Sequence, residues 1–380
     1  MAFLLFYFSM AIIIYIYIGY PIIALLSSLV INRRIDKKLI TPAVTVLITA
    51  FNEKEVIAAT IRNKLEQEYP FDRLEVLVVS DGSTDGTDEI VAEFKDPRVR
   101  LLRQVPRSGK TSALNMAVPE AKGSIIVFSD ANSIYAPDAI KHLVSNFEDP
   151  RVGYVTGKMI YTNPDGSTIG DGCSAYMKYE NFLRRAETRL GSVVGVDGGV
   201  DAMRKELYQK LGNDQLPDFV LSLKVTEIGY RVVYEPKAIL REPALKEVAD
   251  EFRMRVRVSL RALWALFDMK HLFWPRSNPL FAWQLWSHKG LRYLCFVFML
   301  TAFFSNMLLV GYSKFYLITF MLQSILYIGA MSAAMLEREG HRIALLTFLQ
   351  YFVLLNAAAG YAFAKFAMGI KQVTWTPRKG

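Results

Sequence analysis

The stretch IIVFSDANSIY, Ile125 to Tyr135, runs β-branched and aromatic residues into Asp130, Ala131 and Asn132. The run reads as a buried strand. Its polar end falls where open α/β sheets place their ligands. Two oxygen-bearing side chains one residue apart can address a divalent cation and the phosphates it bridges. Magnesium and manganese favour carboxylate, carbonyl and water oxygens. The competing reading is that Asn132 only shapes the turn. Asp81 ends a second such run, LEVLVVS (74–80), and precedes Gly82, Ser83 and Thr84. An acid at a strand tip can accept hydrogen bonds from a nucleoside. It can equally cap the helix that follows. Lys110 opens the helix-like run SALNMAV, where it would add a cation to the anion-accepting end of a helix. The alternative is a solvated surface lysine.

Two apparent motifs fail on spacing. RSGKTS resembles a phosphate loop, but Gln104 stands where that motif needs its first glycine. DGSTDGTDEIVA resembles a calcium loop, but its twelfth position is Ala92 instead of a bidentate Glu. Cys173 and Cys295 lie in regions of different character and imply no disulfide framework. The four histidines show no metal-ligand spacing.

The elements that must position these residues alternate between strand and helix over about 41–250. AVTVLITAF (43–51), LEVLVVS (74–80) and SIIVFSD (124–130) read as buried strands, with helices expected from near Glu53 and Thr84. That alternation predicts an α/β domain with a mostly parallel sheet. The polar residues beyond the first strand, Asn52 and Glu53, then fall at the same sheet edge as Asp81 and Asp130.

The flanks are apolar. Residues 1–31 contain no charge and exceed the roughly 20 residues needed to cross a bilayer. Arg33, Arg34, Lys37 and Lys38 follow, so the run reads as a retained anchor with those cations on the cytoplasmic side. Residues 251–290 mix Arg and Lys with Trp, Phe and Leu, the pattern of amphipathic interface helices. Three apolar runs follow within 291–369 (about 293–310, 315–336 and 343–368), each long enough to span, and a tail occupies 370–380. Counting crossings gives a cytoplasmic middle domain and an external carboxyl terminus. Lys371, Arg378 and Lys379 pull against that side by the positive-inside rule. The net charge of +9 is partly spent flanking apolar segments. Without an aromatic-basic ladder or zinc-finger spacing, it points to a bilayer surface and no nucleic acid.

VTVLITAFNEKEVIAATI, VVSDGSTDGT, RSGKTSALN, IIVFSDANSIYAPDAI and LPDFVLSLKV together resemble the successive motifs of membrane-embedded family 2 glycosyltransferases, over about 41–240. That group includes cellulose, chitin, hyaluronan and poly-N-acetylglucosamine synthases. The resemblance implies a GT-A nucleotide-sugar-binding fold and an inverting mechanism. It implies that Thr49, Ala50, Asn52, Glu53 and Asp81 hold the nucleoside. Lys110 would lie at the donor site, and Asp130 would contact donor and metal, Mg2+ or Mn2+. Asn132 stands where the family's Asp-x-Asp motif has its second acid. A neutral ligand there weakens the site but still offers a hard oxygen.

The family's Asp-x-x-Leu element matches Asp218-Phe219-Val220-Leu221 and implies that Asp218 is the catalytic base. Pro217 stands where a second acid is usual, and on residue type alone Asp218 would be a loop acid. VVGVDGGVDAMRKELY (193–208) is similar to the acceptor-side loop. Asp197 would bond the acceptor or shape a turn, and Gly198 and Gly199 would let backbone approach a sugar. The Gln-x-x-Arg-Trp motif of the processive enzymes falls on FRMRVRVSLRAL, with Met254 and Val258 in place of Gln and Trp. Arg257 or Arg261 would contact the diphosphate, or snorkel at the interface.

The expectation is an inverting, metal-dependent transferase at the cytoplasmic face of the cell membrane. It would move a sugar from a nucleotide-sugar, a UDP-sugar, to a carbohydrate or lipid-linked acceptor. The degenerate Arg motif favours one or a few additions over a processive synthase that secretes its polymer. Two other classes remain. One is a transporter or channel with a nucleotide-sensing domain, for which Lys365 is the candidate intramembrane charge. The other is a nucleotidyltransferase, which would release pyrophosphate.

Overall fold

The computed structural model describes residues 1–162, 168–243, 245, 247–276, 278–338 and 344–373. The tail cations Arg378 and Lys379, and most of the loop between the last two apolar runs, lie outside these residues. The chain divides into two compact units. One is Ile31–Thr162 with Arg184–Pro243 and Gln372–Gly380; the other is Met1–Val30 with Asn163–Leu183 and Ala244–Lys371.

The first unit is built on eight strands: β1 (Val44–Ala50), β2 (Leu74–Ser80), β3 (Val99–Arg103), β4 (Ile125–Asp130), β5 (Ile134–Tyr135), β6 (Val152–Thr162), β7 (Asp201–Arg204) and β8 (Arg231–Pro243). They form one sheet in the order β3-β2-β1-β4-β7-β6-β8-β5. β3, β2, β1 and β4 run parallel, and β7 enters antiparallel between β4 and β6. β6 and β8 are again parallel, and β5 pairs antiparallel with β8.

Every residue of β1 and β2 is buried. Strands covered on both faces carry continuous β-branched runs, and VTVLITA and LEVLVVS have that composition. The chain leaves β1 for β2 on one side, while β4 lies on the other. This reversal opens a crevice beyond the carboxyl ends of the strands. The register sets Thr49 opposite Asp130, so the ends of β1 and β4 are level.

Two helices start later than the sequence suggests, at Ile57 and Thr87 instead of near Glu53 and Thr84. The intervening backbone has other partners. The N–H groups of Asn52, Glu53 and Lys54 donate to the side chains of Ser83, Thr87 and Asp85. Asn52 itself sits at φ +53, a left-handed conformation that Asn tolerates. These cross-links staple the loop after β1 to the loop after β2.

The second unit is helical. Among the described residues, three helices are long and apolar enough to cross a membrane: Ala2–Ile31, Lys314–Ala333 and Leu345–Ala367. The run expected as a span over 293–310 forms a shorter helix, Cys295–Met307, bent by 57° from Pro279–Tyr293; the count is four if that bent pair is one span. Val248–Asp268 forms a continuous helix in the region read as interfacial.

Candidate active site

One side of the crevice, the expected donor side, is assembled at the ends of β1, β2 and β4. Asp81 follows β2 and is fully buried. Its Oδ1 accepts from the Gln104 side-chain amide at 2.5 Å and the Ser108 N–H at 2.8 Å; its Oδ2 accepts from the Gly109 N–H at 2.9 Å. Arg107 Nε lies 3.7 Å from Oδ2, and its guanidinium stacks 3.4 Å over the Phe51 ring. Asp81 therefore does not cap the helix after its own loop. It anchors the 104–109 segment that delivers Lys110 to the start of the helix Lys110–Glu120. Thr49 and Ala50 are buried within the sheet, and Asn52 and Glu53 are part-exposed beyond it.

Lys110 Nζ is ion-paired with Asp130 Oδ1. The Asp130 side chain is 38% exposed, so this acid faces the crevice while Asp81 does not. The turn that follows is held from below. Lys64 is fully buried, with its Nζ 2.5 Å from the Ser133 carbonyl, 3.0 Å from Asn63 Oδ1 and 3.4 Å from the Tyr135 ring centre. Burial pushes its ammonium well below the usual lysine range. Ser133 Oγ in turn donates to buried Glu242 at 2.8 Å. Asn132 lies in this braced turn and is part-exposed.

The expected acceptor side comes from β6, β7, the loop before β7 and the helix Pro217–Glu227. Proline at N1 starts that helix and Asp218 occupies its first turn. A helix amino end has unpaired N–H groups and favours a negative charge. Asp218 lines a narrow cleft with Lys110, Phe128, Tyr154 and Gly198. A Cβ on Gly198, which sits at φ +81, would fall 2.4 Å from Asp218 Oδ2. A Cβ on Gly199 would lie 2.9 Å from Leu240 Cδ2 and 3.3 Å from Ser133 Oγ. Within the protein, the glycine pair thus lets backbone pass between Asp218 and the braced turn after β4.

Sequence reasoning missed the residue beneath that loop. Asp201, fully buried, accepts from Tyr154 Oη at 2.7 Å, Thr156 Oγ1 at 2.6 Å and the Gly198 N–H at 3.0 Å. Burial, with Asp197 and Asp218 nearby, pushes its carboxyl up to about 7. Asp197 is paired with Arg184 at 2.6 Å, both side chains nearly buried. No group of three or more His, Cys, Asp or Glu that could hold a metal ion occurs among the described residues. Arg257 and Arg261 stand on Val248–Asp268, in the helical unit.

The mixed, largely parallel sheet is a GT-A-like fold. Residues 45–212 match the family model described as Glycosyl transferase family 2. It is 27% identical over 220 residues to the poly-beta-1,6-N-acetyl-D-glucosamine synthase of Staphylococcus aureus (strain COL), covering 56% of this chain and 53% of that protein. The Staphylococcus epidermidis protein of the same name is 25% identical over 242 residues, covering 60% and 58%. The chain thus spans somewhat over half the length of the curated relatives it matches. Among solved structures, the mannosyltransferase PcManGT from Pyrobaculum calidifontis, in complex with GDP-Man and Mn2+, superposes with a TM-score of 0.73 at 23% identity. That superposition covers 96% of this chain and 99% of the other, and establishes a shared fold.

Proposed function

We propose that this protein is an inverting glycosyltransferase of the cell membrane, with its sheet domain on the cytoplasmic face. It moves a sugar from a nucleotide-sugar, read here as a UDP-sugar, to a carbohydrate or lipid-linked acceptor. The observation that carries this reading is the position of Lys110. Its ammonium is paired with Asp130 at the donor strand tip, and its side chain lines the cleft that holds Asp218.

In this reading the Asn52–Glu53 segment and the Asp81 loop hold the nucleoside. Asp218 takes the proton from the acceptor hydroxyl as its oxygen attacks the anomeric carbon. The bond from that carbon to the diphosphate breaks with its electron pair, and Lys110 balances the charge that builds there. One in-line displacement inverts the anomeric configuration. Asp130 and Asn132 suit Mg2+ or Mn2+: a part-exposed carboxylate and an amide oxygen are two hard ligands, and such cations draw the rest from phosphates and water. When bound, the cation would neutralise diphosphate charge as a Lewis acid. The Mn2+ bound in the fold neighbour PcManGT supports this reading.

The side of the membrane is read from Arg33, Arg34, Lys37 and Lys38. Their segment belongs to the sheet unit: Arg231 donates to the Arg33 and Arg34 carbonyls, and Lys37 pairs with Glu235. A second reading, a processive synthase, is favoured by the name of the Staphylococcus relatives. Long product ladders from one acceptor would select it over single addition.

The test is a panel of UDP- and GDP-sugars with purified protein, with Mg2+, Mn2+ or chelator, scored by nucleoside diphosphate release. Asp218→Asn should lower the rate by about 10²–10⁴-fold while donor binding persists. Undiminished release in that variant overturns the base assignment. Pyrophosphate as product overturns the transferase reading, and full activity after chelation overturns the metal.

A further inference from the structure

The helical unit holds a partly open cavity of about 500 Å3 that the transferase reading does not use. Its size falls within the range of small-molecule sites. Its lining is asymmetric in chemistry. Arg255, Lys289 and Arg292 line it, and no carboxylate does among the described lining residues. These cations are gathered in one place. Arg255 and Arg292 stack on the same ring, Tyr176, at 5.2 and 5.0 Å from its centre. His288, Lys289 and Arg292 all reach buried Glu180, and Arg255 is held by buried Glu251 at 2.8 Å. Each cation is thus fixed by a buried acid while its residue also lines the cavity.

The remaining wall is apolar. Leu326 comes from Lys314–Arg338, and Phe348, Leu355 and Ala359 come from Ala344–Ala367. Both helices contain segments long and apolar enough to span a membrane. A cavity walled by such helices on one side and by clustered guanidinium and ammonium groups on the other matches an amphiphile with an anionic head. Arginine pairs bind phosphate through paired N–H groups, and burial of a hydrocarbon chain adds affinity with each CH2.

We propose that this cavity binds a lipid phosphate, with the phosphate on Arg255, Lys289 and Arg292 and the chain along the Phe348–Ala359 face. The site is independent of the transferase reading, since binding needs neither donor nor turnover.

The experiment uses the full chain in neutral detergent, with four probes: dioleoyl phosphatidic acid, dioleoylglycerol, glycerol 3-phosphate and an N-acetylglucosamine oligomer. Binding is read by native mass spectrometry and by titration of intrinsic fluorescence. Phosphatidic acid should bind at least about tenfold tighter than each of the other three, the weight of one charge-assisted contact. Lys289→Gln should weaken it about tenfold. Ala359→Phe, which fills the apolar side and leaves every cation, should weaken it as well. Equal binding of dioleoylglycerol removes the anion site, equal binding of glycerol 3-phosphate removes the chain site, and preference for the oligomer makes the cavity a glycan passage. Any of these overturns the proposal, as does phosphatidic acid binding unchanged in two folded variants. The wild-type comparison decides alone if a variant fails to fold.

Discussion

The two sides of the crevice space their carboxylates differently. On the donor side each acid has donors or a cation matched to it: Asp81 has two backbone N–H groups, Gln104 and Arg107, and Asp130 has Lys110. On the acceptor side Asp197, Asp201 and Asp218 crowd around one glycine, with Arg184 paired to Asp197. Matched acids hold a fixed negative charge and therefore a fixed geometry. Burial, with Asp197 and Asp218 nearby, raises the Asp201 carboxyl. In the proposed reading, the donor side holds a charged ligand in place and the acceptor side handles a proton. Lys110 belongs to both, which is why its position carries the functional reading.

If the two sides do separate jobs, their variants should separate binding from turnover. Gly198→Ala should give the larger effect. Its Cβ would press on the Asp218 carboxylate, and φ +81 disfavours any Cβ. Displacing a base by an ångström costs on the order of 10²-fold in rate. Turnover should fall by about that factor while nucleotide-sugar binding, measured by titration, stays within twofold. Equal losses in both would break the division. Lys110→Gln should act through the donor instead. Losing one charge-assisted contact weakens donor affinity about tenfold. The acceptor KM should not move, and a shift there as large as the donor's would merge the two sides.

The donor side was the more legible in sequence. β1, β2 and β4 are buried β-branched runs whose last residues turn polar, so Asp81 and Asp130 mark their own strand tips. Their partners could not be read the same way. Lys110 meets Asp130 because a parallel sheet brings distant loops to one edge. Asp81 holds the loop leading to Lys110 because the adjacent strands end level. Asp218 entered by family resemblance alone, since an acid after proline opens many helices. Asp201 lies in the quoted acceptor segment, but its partners Tyr154 and Thr156 come from another strand, and nothing local marks it. Lys64 did leave a signal. Ile57, Thr60, Ile61 and Lys64 form the buried stripe of one helix, and a lysine on that stripe asks for a buried partner. In the helical unit, hydropathy finds the apolar run near 293–310 but not its 57° bend, because composition carries no axis direction.

The smallest and sharpest test concerns Asp201. Its carboxyl is raised to about 7 in the folded protein, against an ordinary value of 3.8. Between those values the native state keeps a proton that the unfolded state has lost. Stability should therefore fall as pH rises from about 4 to 7, by up to about 1.4 kcal/mol per pH unit, and level off above. Asp201→Asn should imitate the protonated acid. Its oxygen can accept from the Gly198 N–H while its amide donates to Thr156 Oγ1, so the loop beside Asp218 stays in place. The variant should match the wild type near pH 4 and exceed it near pH 8 in chemical denaturation, with a flatter pH slope between. A variant that loses stability equally at both ends would mean that Asp201 is ionised in the fold. The acceptor side would then hold fixed charge as the donor side does, and the contrast between them would fail.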